Sequence, residues 1–374
     1  MKEYIYADNA ATTKLDMDAF EAMKPYLLEE YGNVSQPYSF SRSGKRALKD
    51  ARETIARCIN AEPEEIFFTS GGTESDNWAL KGVAFKNKFI GNIVTSEIEH
   101  HAILNTCKIL NDAGMIIKYL AVTKNAQVEV KELKENLDSD TKLVTIMFAN
   151  NEVGSIQQIR ELAEAAHNRD VLFHTDAVQA VGHVKIDVKD LNVDMLSASA
   201  HKFNGPKGIG FFYKKNKVQI APYMNGGAQE KGLRAGTENI AFIVAMAYAL
   251  KKNCEELEQN EKHLFHLEKV LEHGLRENNI VYRRNGAEVH IPGNVNLSFP
   301  GYEGEVLLHR LDLMGISVST GSACDSVNTQ ISHVLQAMKL DEALARGTIR
   351  ISFGKNNTVE DVKKIVFALT KILN

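Results

Sequence analysis

The stretch "VDMLSASAHKFNGPKGIGFFY", residues 193–213, contains two short apolar runs separated by a turn that carries a lysine, Lys202. Continuous apolar runs of this length are typical of β-strands in a sheet that helices cover on both faces. The turn between them ends in Gly-Pro-Lys-Gly, a combination that interrupts regular structure. The stretch therefore predicts two core strands with a polar, lysine-bearing turn between them.

Five similar apolar runs lie upstream of this stretch. They are "EIFFTS", "GNIVTS", "MIIKYLAV", "KLVTIMFA" and "VLFHTD". Helical patterns separate some of them, for example at residues 74–88 and 159–168. Because strands and helices alternate, the sequence predicts an α/β core over about residues 60–215, with a sheet between two layers of helices.

The pattern changes downstream of this core. A long, largely helical segment runs from residue 238 to about residue 277 and includes the charged, amphipathic "NEKHLFHLEKVLEHGLREN". After it come "NVNLSF", a helix over residues 303–314, "TIRISF" and a last helix over residues 358–373. This mixture predicts a second, smaller α+β domain, with the long helical segment as the boundary.

Composition excludes several classes of protein. The chain has 374 residues, too many for one ordinary hydrophobic core, with 44% hydrophobic residues, 25% charged residues and a net charge of -4. This balance is not that of a nucleic-acid or membrane-surface binder. No apolar run approaches the roughly 20 residues that span a bilayer, and the start "MKEYIYADNAATT" has no leader pattern. We expect a cytoplasmic protein.

The four cysteines, at positions 58, 107, 254 and 324, form no C-x-x-C pair. They are too sparse for a disulfide framework, which also favours a reducing cytoplasm. Cys58, Cys107 and Cys254 lie in helical patterns and are predicted to be buried fillers. Cys324, in the small-residue run "STGSACDS", could by itself be a nucleophile, a metal ligand or an ordinary loop residue.

Lys202 raises the hypothesis of a Schiff-base lysine for pyridoxal phosphate (PLP), which requires an acid to keep the pyridine nitrogen protonated. Asp176 ends the run "VLFHTD", 26 residues before Lys202, and Gln179 could reach the phenolic oxygen of the ring. Taken alone, Lys202 also fits a solvated surface lysine and Asp176 a helix cap. Their order along the chain is what makes the cofactor hypothesis worth pursuing.

Two further signals complete this hypothesis. In "FTSGGTESDN" a strand is followed by Gly71, Gly72 and Thr73 and then a helix, an arrangement that can bind phosphate through backbone N–H groups. His100 in "SEIEHHAIL" follows another strand and could stack on the cofactor ring. A plain turn and a surface histidine remain the simple alternatives for each. Together, four such signals at strand ends favour a PLP site.

With these residues in place, the chain resembles the cysteine desulfurases of the NifS/IscS type, in the fold-type I, aminotransferase class V group of PLP enzymes. The motifs that carry the resemblance are "YADNAATT", "SGGTES", "EHHAIL", "NNEVGSIQ", "HTDAVQA", "SAHKFNGPKG", "GGAQEKGLRAGTEN", "STGSACDS" and "RISFGKNNTVED". The resemblance implies a large PLP-binding domain, residues 14–255, with a mostly parallel seven-stranded sheet between helices. Residues 1–13 and 256–374 would form a smaller α+β domain carrying the cysteine loop.

The resemblance also implies roles for individual residues. Lys202 would be the Schiff-base lysine, and Asp176 and Gln179 would contact the ring, while His100 would stack on it and move protons. The residues implied to hold the phosphate are Gly72, Thr73, Ser199 and His201, with Thr237 reaching in from the second subunit of a homodimer. The residues implied to bind the substrate are Asn33, Asn151 and Arg350, and Asn151 is also implied to contact the cofactor.

Cys324 is implied to be the nucleophile. It would take the sulfur of L-cysteine as a persulfide, release L-alanine, and deliver the sulfur from a mobile loop. His100 is the predicted group that deprotonates the thiol, whereas the charge of Asp325 opposes ionisation. The implied acceptor is an iron-sulfur scaffold, with Cys324 as a transient cluster ligand, or a tRNA sulfurtransferase. No direct contact with nucleic acid or membrane is expected.

Two other hypotheses remain open at this stage. An aminotransferase or a selenocysteine lyase could use the same scaffold, since a selenocysteine preference is not visible in sequence. A protein without enzymatic activity could use Cys324 with His333 to hold a metal. The spacing of those two residues matches no compact zinc pattern, which weighs against the metal hypothesis.

Overall fold

The structure is a computed structural model that describes residues 4–320 and 331–374. Its strands are numbered in chain order: β1 (Ile5–Tyr6), β2 (Ile66–Thr69), β3 (Asn92–Ser96), β4 (Ile116–Leu120), β5 (Thr141–Thr145), β6 (Leu172–Asp176), β7 (Met195–Ser199), β8 (Gly210–Lys214), β9 (Arg283–Asn285), β10 (Asn294–Ser298), β11 (Ile316–Ser317) and β12 (Thr348–Ser352).

The helices are numbered in the same way. They are α1 (Met17–Leu28), α2 (Arg42–Cys58), α3 (Gly72–Lys86), α4 (His101–Asp112), α5 (Val130–Asn136), α6 (Ile159–His167), α7 (Ile240–Glu255), α8 (Leu257–Glu277), α9 (Gly304–Leu313), α10 (His333–Ala337), α11 (Glu342–Arg346) and α12 (Val359–Leu373).

The large sheet has seven strands in the order β2-β8-β7-β6-β5-β3-β4. Strands β3 to β7 pair in parallel, and β8 runs antiparallel to both of its neighbours, β7 and β2. All seven predicted apolar runs therefore contribute strands, and the mostly parallel seven-stranded sheet is confirmed. The run "KLVTIMFA" is only partly strand, because β5 ends at Thr145.

The continuous apolar runs reflect burial on both faces of this sheet. Phe211 packs into one hydrophobic cluster and its neighbour Phe212 into another. In the same way, Val144 packs into the first cluster and its neighbour Leu143 into the second. Successive side chains of a strand point to opposite faces, so both faces must be covered when both are apolar. The second cluster includes the fully buried Trp78 of α3.

A second core lies under a three-stranded antiparallel sheet of order β12-β10-β9. It contains residues of α8, β10 and α12, and also Ile5 of β1, which pairs in parallel with β11. The predicted α+β character of this part is confirmed. The predicted domain limits, at residues 13/14 and 255/256, stay a prediction.

The long, largely helical segment consists of two helices. Helix α7 ends at Glu255 and α8 begins at Leu257. Met246 and Leu250 of α7 pack into the core beside the large sheet, whereas Leu267 and Leu271 of α8 pack into the core of the small one. The break allows each helix to bury its apolar face against a different sheet.

The parallel strands bring their carboxyl ends to one edge of the large sheet. Asp176 is the last residue of β6, Ser199 is the last of β7, and His100 follows β3 after a short turn. Ligands of open α/β sheets bind at this edge. Among the described helices, none is long and apolar enough to cross a membrane.

Candidate active site

A cavity of about 280 Å³ lies at this edge of the large sheet. The predicted site residues that line it are Gly72, Thr73, His100, Asn151, Asp176, Gln179, Ser199, His201, Lys202 and Arg350. Asn33 and Thr237 do not line it, and Cys324 lies outside the described residues. The fold thus assembles side chains that are spread over most of the chain.

Lys202 ends a short 3₁₀ turn that follows β7. Its Nζ donates hydrogen bonds to the carbonyl oxygens of Ala10, at 2.6 Å, and Ala11, at 2.9 Å, and its own carbonyl oxygen contacts His183 Nε2 at 2.8 Å. The N-terminal segment therefore helps to hold the amine at the cavity. Sequence reasoning assigned no role to Ala10 and Ala11, although they belong to the motif "YADNAATT".

Asp176 presents a buried carboxyl to the cavity. Its Oδ1 accepts a hydrogen bond from Val178 N at 2.9 Å. Burial raises the pKa of Asp176, and the nearby His100 and Lys202 oppose that rise. A buried carboxylate in this position favours a cationic neighbour, such as a protonated pyridine nitrogen. Gln179, three residues later, donates from Nε2 to Ala10 O at 2.9 Å.

His100 caps the N-terminus of α4, where its Nδ1 accepts a hydrogen bond from Ala102 N at 3.1 Å. Burial is the main cause that lowers the pKa of His100, and the charge of Lys202 lowers it further. The neutral ring therefore carries its proton on Nε2 in this arrangement. To accept a proton at Nε2, the ring must first carry its own proton on Nδ1 instead. Nδ1 can then no longer accept the hydrogen bond from Ala102 N.

The N-terminus of α3 forms an anion cradle. Gly71, with φ of 151°, precedes the helix, and a Cβ on Gly72 would lie 2.4 Å from Val178 Cγ2. Glycine thus lets the backbone approach the cavity, where helix N–H groups attract a phosphate. Ser199 and His201 line the same cavity. Burial is the main cause that lowers the pKa of His201 to about 4, so its neutral ring is available for hydrogen bonding.

Two buried acids near the cavity were missed by sequence reasoning. Asp76 lines the cavity, is 1% exposed, and its Oδ1 has no hydrogen-bond partner among the described residues. Glu99 is fully buried and its Oε1 accepts hydrogen bonds from Ser96 Oγ at 2.6 Å and Met147 N at 2.9 Å. Asp76 lies one helical turn after Gly72, a spacing that could have signalled a shared face.

Arg350 provides the cationic end of the cavity. Its side chain is 3% exposed, with Nη1 donating to Asn151 O at 2.8 Å and Nη2 to Asp8 Oδ1 at 2.7 Å. Nε is buried and has no hydrogen-bond partner among the described residues. A buried guanidinium with an unused donor is well suited to a carboxylate ligand. Asp8, which holds this guanidinium, was another residue that sequence reasoning missed.

Two predicted site residues do not line the cavity, and a third lies outside the described residues. Asn33 is exposed and its Oδ1 accepts from Ser35 N at 2.8 Å. Thr237 lines a separate cavity of about 180 Å³, whose wall includes Ser70. Cys324 and its neighbour Asp325 belong to residues 321–330, outside the described part, so their predicted roles stay predictions.

The alternative metal hypothesis has one described member, His333. Its Nε2 contacts Glu99 O at 3.1 Å and its ring lies 5.0 Å from that of His101. Within residues 4–320 and 331–374, no three side chains of the metal-binding types cluster together. The described contacts of the His333 ring are thus with Glu99 and His101.

Comparisons with known proteins place these features in context. A model of the family described as Aminotransferase class-V matches residues 5–365. A protein of Clostridium botulinum named "Cysteine desulfurase IscS" is 46% identical over 377 residues, covering 100% of this chain and 95% of that protein.

Solved structures show the same likeness. One titled "NIFS-LIKE PROTEIN" has a TM-score of 0.93 at 39% identity and covers 99% of each chain. Another, titled "SspA in complex with cysteine", has a TM-score of 0.84 at 35% identity and covers 95% of this chain and 100% of that one.

Proposed function

We propose that this chain, which belongs to the aminotransferase class-V family, is a PLP-dependent cysteine desulfurase. It converts L-cysteine into L-alanine and passes the sulfur, as a persulfide on Cys324, to an acceptor protein. The observation that carries this proposal is the shared cavity of Lys202, Asp176 and Arg350, which joins an amine, a buried acid and a carboxylate receptor.

The residues of the cavity fit PLP. The N-terminus of α3, with Gly72 and Thr73, and the side chains of Ser199 and His201 would hold the phosphate. Asp176 would face the pyridine nitrogen. When bound, PLP supplies an electron sink for the electron pair that remains when the substrate loses its α proton.

Arg350 would orient the substrate. Its Nε donor is available, while Asp8 and Asn151 O hold the rest of the guanidinium in one orientation. A carboxylate bound there places the amino group of L-cysteine toward Lys202, because both residues line one cavity of about 280 Å³.

Lys202 and His100 would move protons. Lys202 Nζ is held by two carbonyl oxygens and can exchange those contacts for the substrate. The lowered pKa of His100 keeps its imidazole neutral near pH 7, so it can accept the thiol proton of Cys324 once Nε2 is unprotonated. This step requires the tautomer with the proton on Nδ1, which no longer accepts a hydrogen bond from Ala102 N.

We further propose that the protein is a homodimer, in which Thr237 contributes to the phosphate site of the partner subunit. The acceptor of the persulfide is inferred to be an iron-sulfur scaffold protein or a tRNA sulfurtransferase. The former would make Cys324 a transient ligand of the growing cluster.

The proposal is tested by incubating the PLP-loaded protein with L-cysteine and a thiol reductant, and measuring L-alanine and sulfide. Cys324→Ala should abolish sulfide release while leaving the yellow cofactor in place, whereas Cys107→Ser serves as the matched control and should keep both. Lys202→Ala should lose the covalent, borohydride-reducible link between cofactor and protein.

The same assay separates the alternatives. Alanine formation that depends on an added keto acid would indicate an aminotransferase instead. Faster turnover of selenocysteine with little release from cysteine would indicate a selenocysteine lyase. Normal sulfide release by Cys324→Ala would remove that residue from the reaction.

A further inference from the structure

A second, larger cavity of about 890 Å³ lies away from the active site, where the ends of α2 and α7 meet the segment after β6. Two cysteines line it: Cys58, the last residue of α2, and Cys254, in the last turn of α7. Both are partly exposed, so the prediction that they are buried fillers is wrong for these two, whereas Cys107 is fully buried.

Cys58 and Cys254 are far apart in sequence, but α2 packs against α7, so the two side chains line one cavity and are placed for a hydrogen bond between the thiols. This hydrogen bond is the main cause that raises the pKa of Cys58 and lowers the pKa of Cys254. Cys58 therefore acts as the donor and Cys254 as the more easily ionised sulfur. The charged residues that line the cavity balance, with Arg57, Lys185 and Lys262 against Asp187, Glu255 and Glu258. The hydrogen bond from Cys58 is therefore what favours a thiolate at Cys254.

We propose that Cys58 and Cys254 are a site of reversible disulfide formation by peroxide. The Cys254 thiolate attacks hydrogen peroxide, an S–O bond forms, the O–O bond breaks and one water leaves after protonation. The Cys58 sulfur then attacks Cys254, the S–S bond forms, the S–O bond breaks and a second water leaves. Two thiols are oxidised by two electrons and the peroxide is reduced to two waters.

This site is linked to the catalytic lysine through one residue. Asn253, next to Cys254, donates from Nδ2 to Phe203 O at 2.8 Å and to Ala249 O at 2.8 Å. Phe203 directly follows Lys202. A cross-link between α2 and α7 therefore fixes the end of α7 that supports the lysine turn, and it joins distant parts of the chain in the unfolded state.

The test uses the PLP-loaded Cys324→Ala protein, so that the predicted catalytic thiol cannot react. After treatment with hydrogen peroxide and alkylation, non-reducing tryptic mapping should show residues 58–81 linked to residues 253–262, at the summed mass less two hydrogens. Of the three remaining thiols, only Cys107 should stay titratable after denaturation, and dithiothreitol should restore the other two. The oxidised protein should also unfold at a higher temperature.

Two variants in the same background serve as controls. Cys107→Ser should cross-link normally, and Cys58→Ala should lose the cross-link. Cys58→Ala should also slow alkylation of Cys254 by iodoacetamide several-fold, because the donor that stabilises the thiolate is gone. Peroxide treatment that leaves residues 58–81 and 253–262 unlinked, or an alkylation rate that is unchanged in Cys58→Ala, would overturn the proposal.

Discussion

Three buried carboxyl groups lie in or near the cavity, and their protonation decides the charge that the cofactor site presents. Asp76, Glu99 and Asp176 are all almost fully buried. Burial raises the pKa of each, and the charge of Asp176 raises the pKa of the other two further. Asp176 alone has opposing contributions from both His100 and Lys202. We therefore expect Asp176 to carry the negative charge while the other two stay protonated.

Glu99 makes this expectation testable through stability. Its pKa rises from 4.5 to about 8 in the folded protein, mainly through burial. The folded state then holds a proton that the unfolded state loses, so stability is complete below pH 4.5, falls as the pH rises and levels off near pH 8. The loss from this group is about 5 kcal/mol, at ~1.4 kcal/mol per pH unit.

Glu99→Gln should remove this dependence, because glutamine keeps the oxygen that accepts from Ser96 and Met147 but cannot ionise. The difference in free energy of unfolding between the variant and the unmodified holoenzyme, measured in urea from pH 5 to pH 9, should grow in favour of the variant. The exposed neighbour Glu97→Gln is the matched control and should show no such trend. Parallel pH profiles for Glu99→Gln and the unmodified protein would contradict the assignment.

The N-terminus of α3 shows how one helix end can define a binding site. Its first residue, Gly72, is fully packed against Val178, and both residues line the cavity. A Cβ at that position would lie 2.4 Å from Val178 Cγ2, which is closer than packed atoms allow. The absence of a side chain is therefore a requirement of the strand-to-helix junction.

Gly72→Ala should displace Val178 into the space of the cofactor and weaken PLP binding about tenfold or more, which corresponds to ~1.4 kcal/mol. Equilibrium dialysis of PLP measures the effect. Adding Val178→Ala removes the clashing methyl groups and should restore part of the affinity, while Val178→Ala alone should bind PLP nearly as well as the unmodified protein. A double variant no better than Gly72→Ala would show that the clash is not the cause.

At the scale of the molecule, the cavity depends on segments from both cores. Ala10 and Ala11 follow β1, which packs in the core of the small sheet, and Arg350 is in β12 of that sheet. Asp176 and Lys202 belong to the large sheet and the turn after it. The site therefore forms only when both parts are folded and packed together. Thr237, in its separate cavity, is the predicted contribution of a partner subunit.

The dimer proposal is tested by mixing two defective variants, Lys202→Ala and Thr237→Ala, and allowing subunits to exchange. If Thr237 serves the partner's site, a mixed dimer contains one intact site and regains tight, borohydride-reducible PLP. If Thr237 served its own chain, both sites of the mixed dimer would remain defective. Thr237→Ser should retain the hydroxyl and hence the cofactor when tested alone.

Local patterns were sufficient for the elements of the large sheet. Its strands were visible because burial on both faces requires continuous apolar runs, a property of each segment by itself. The break between α7 and α8 was not visible, because both sides continue the same helical pattern and only the two separate cores distinguish them. The partial strand in "KLVTIMFA" is a similar case, since apolar residues beyond Thr145 are buried without pairing as strand.

For the site, the sequence by itself determined the chemical groups: the lysine, the acid and the glycine turn each follow a strand or end one, the arginine lies within one, and their motifs indicate the family. Only the tertiary structure decided which groups share a cavity and what holds them. Three sets of contacts join residues that are remote in sequence. Asp8 binds Arg350, the carbonyl oxygens of Ala10 and Ala11 bind Lys202, and Cys58 lies beside Cys254. Such contacts arise from packing between elements, and no local pattern records them.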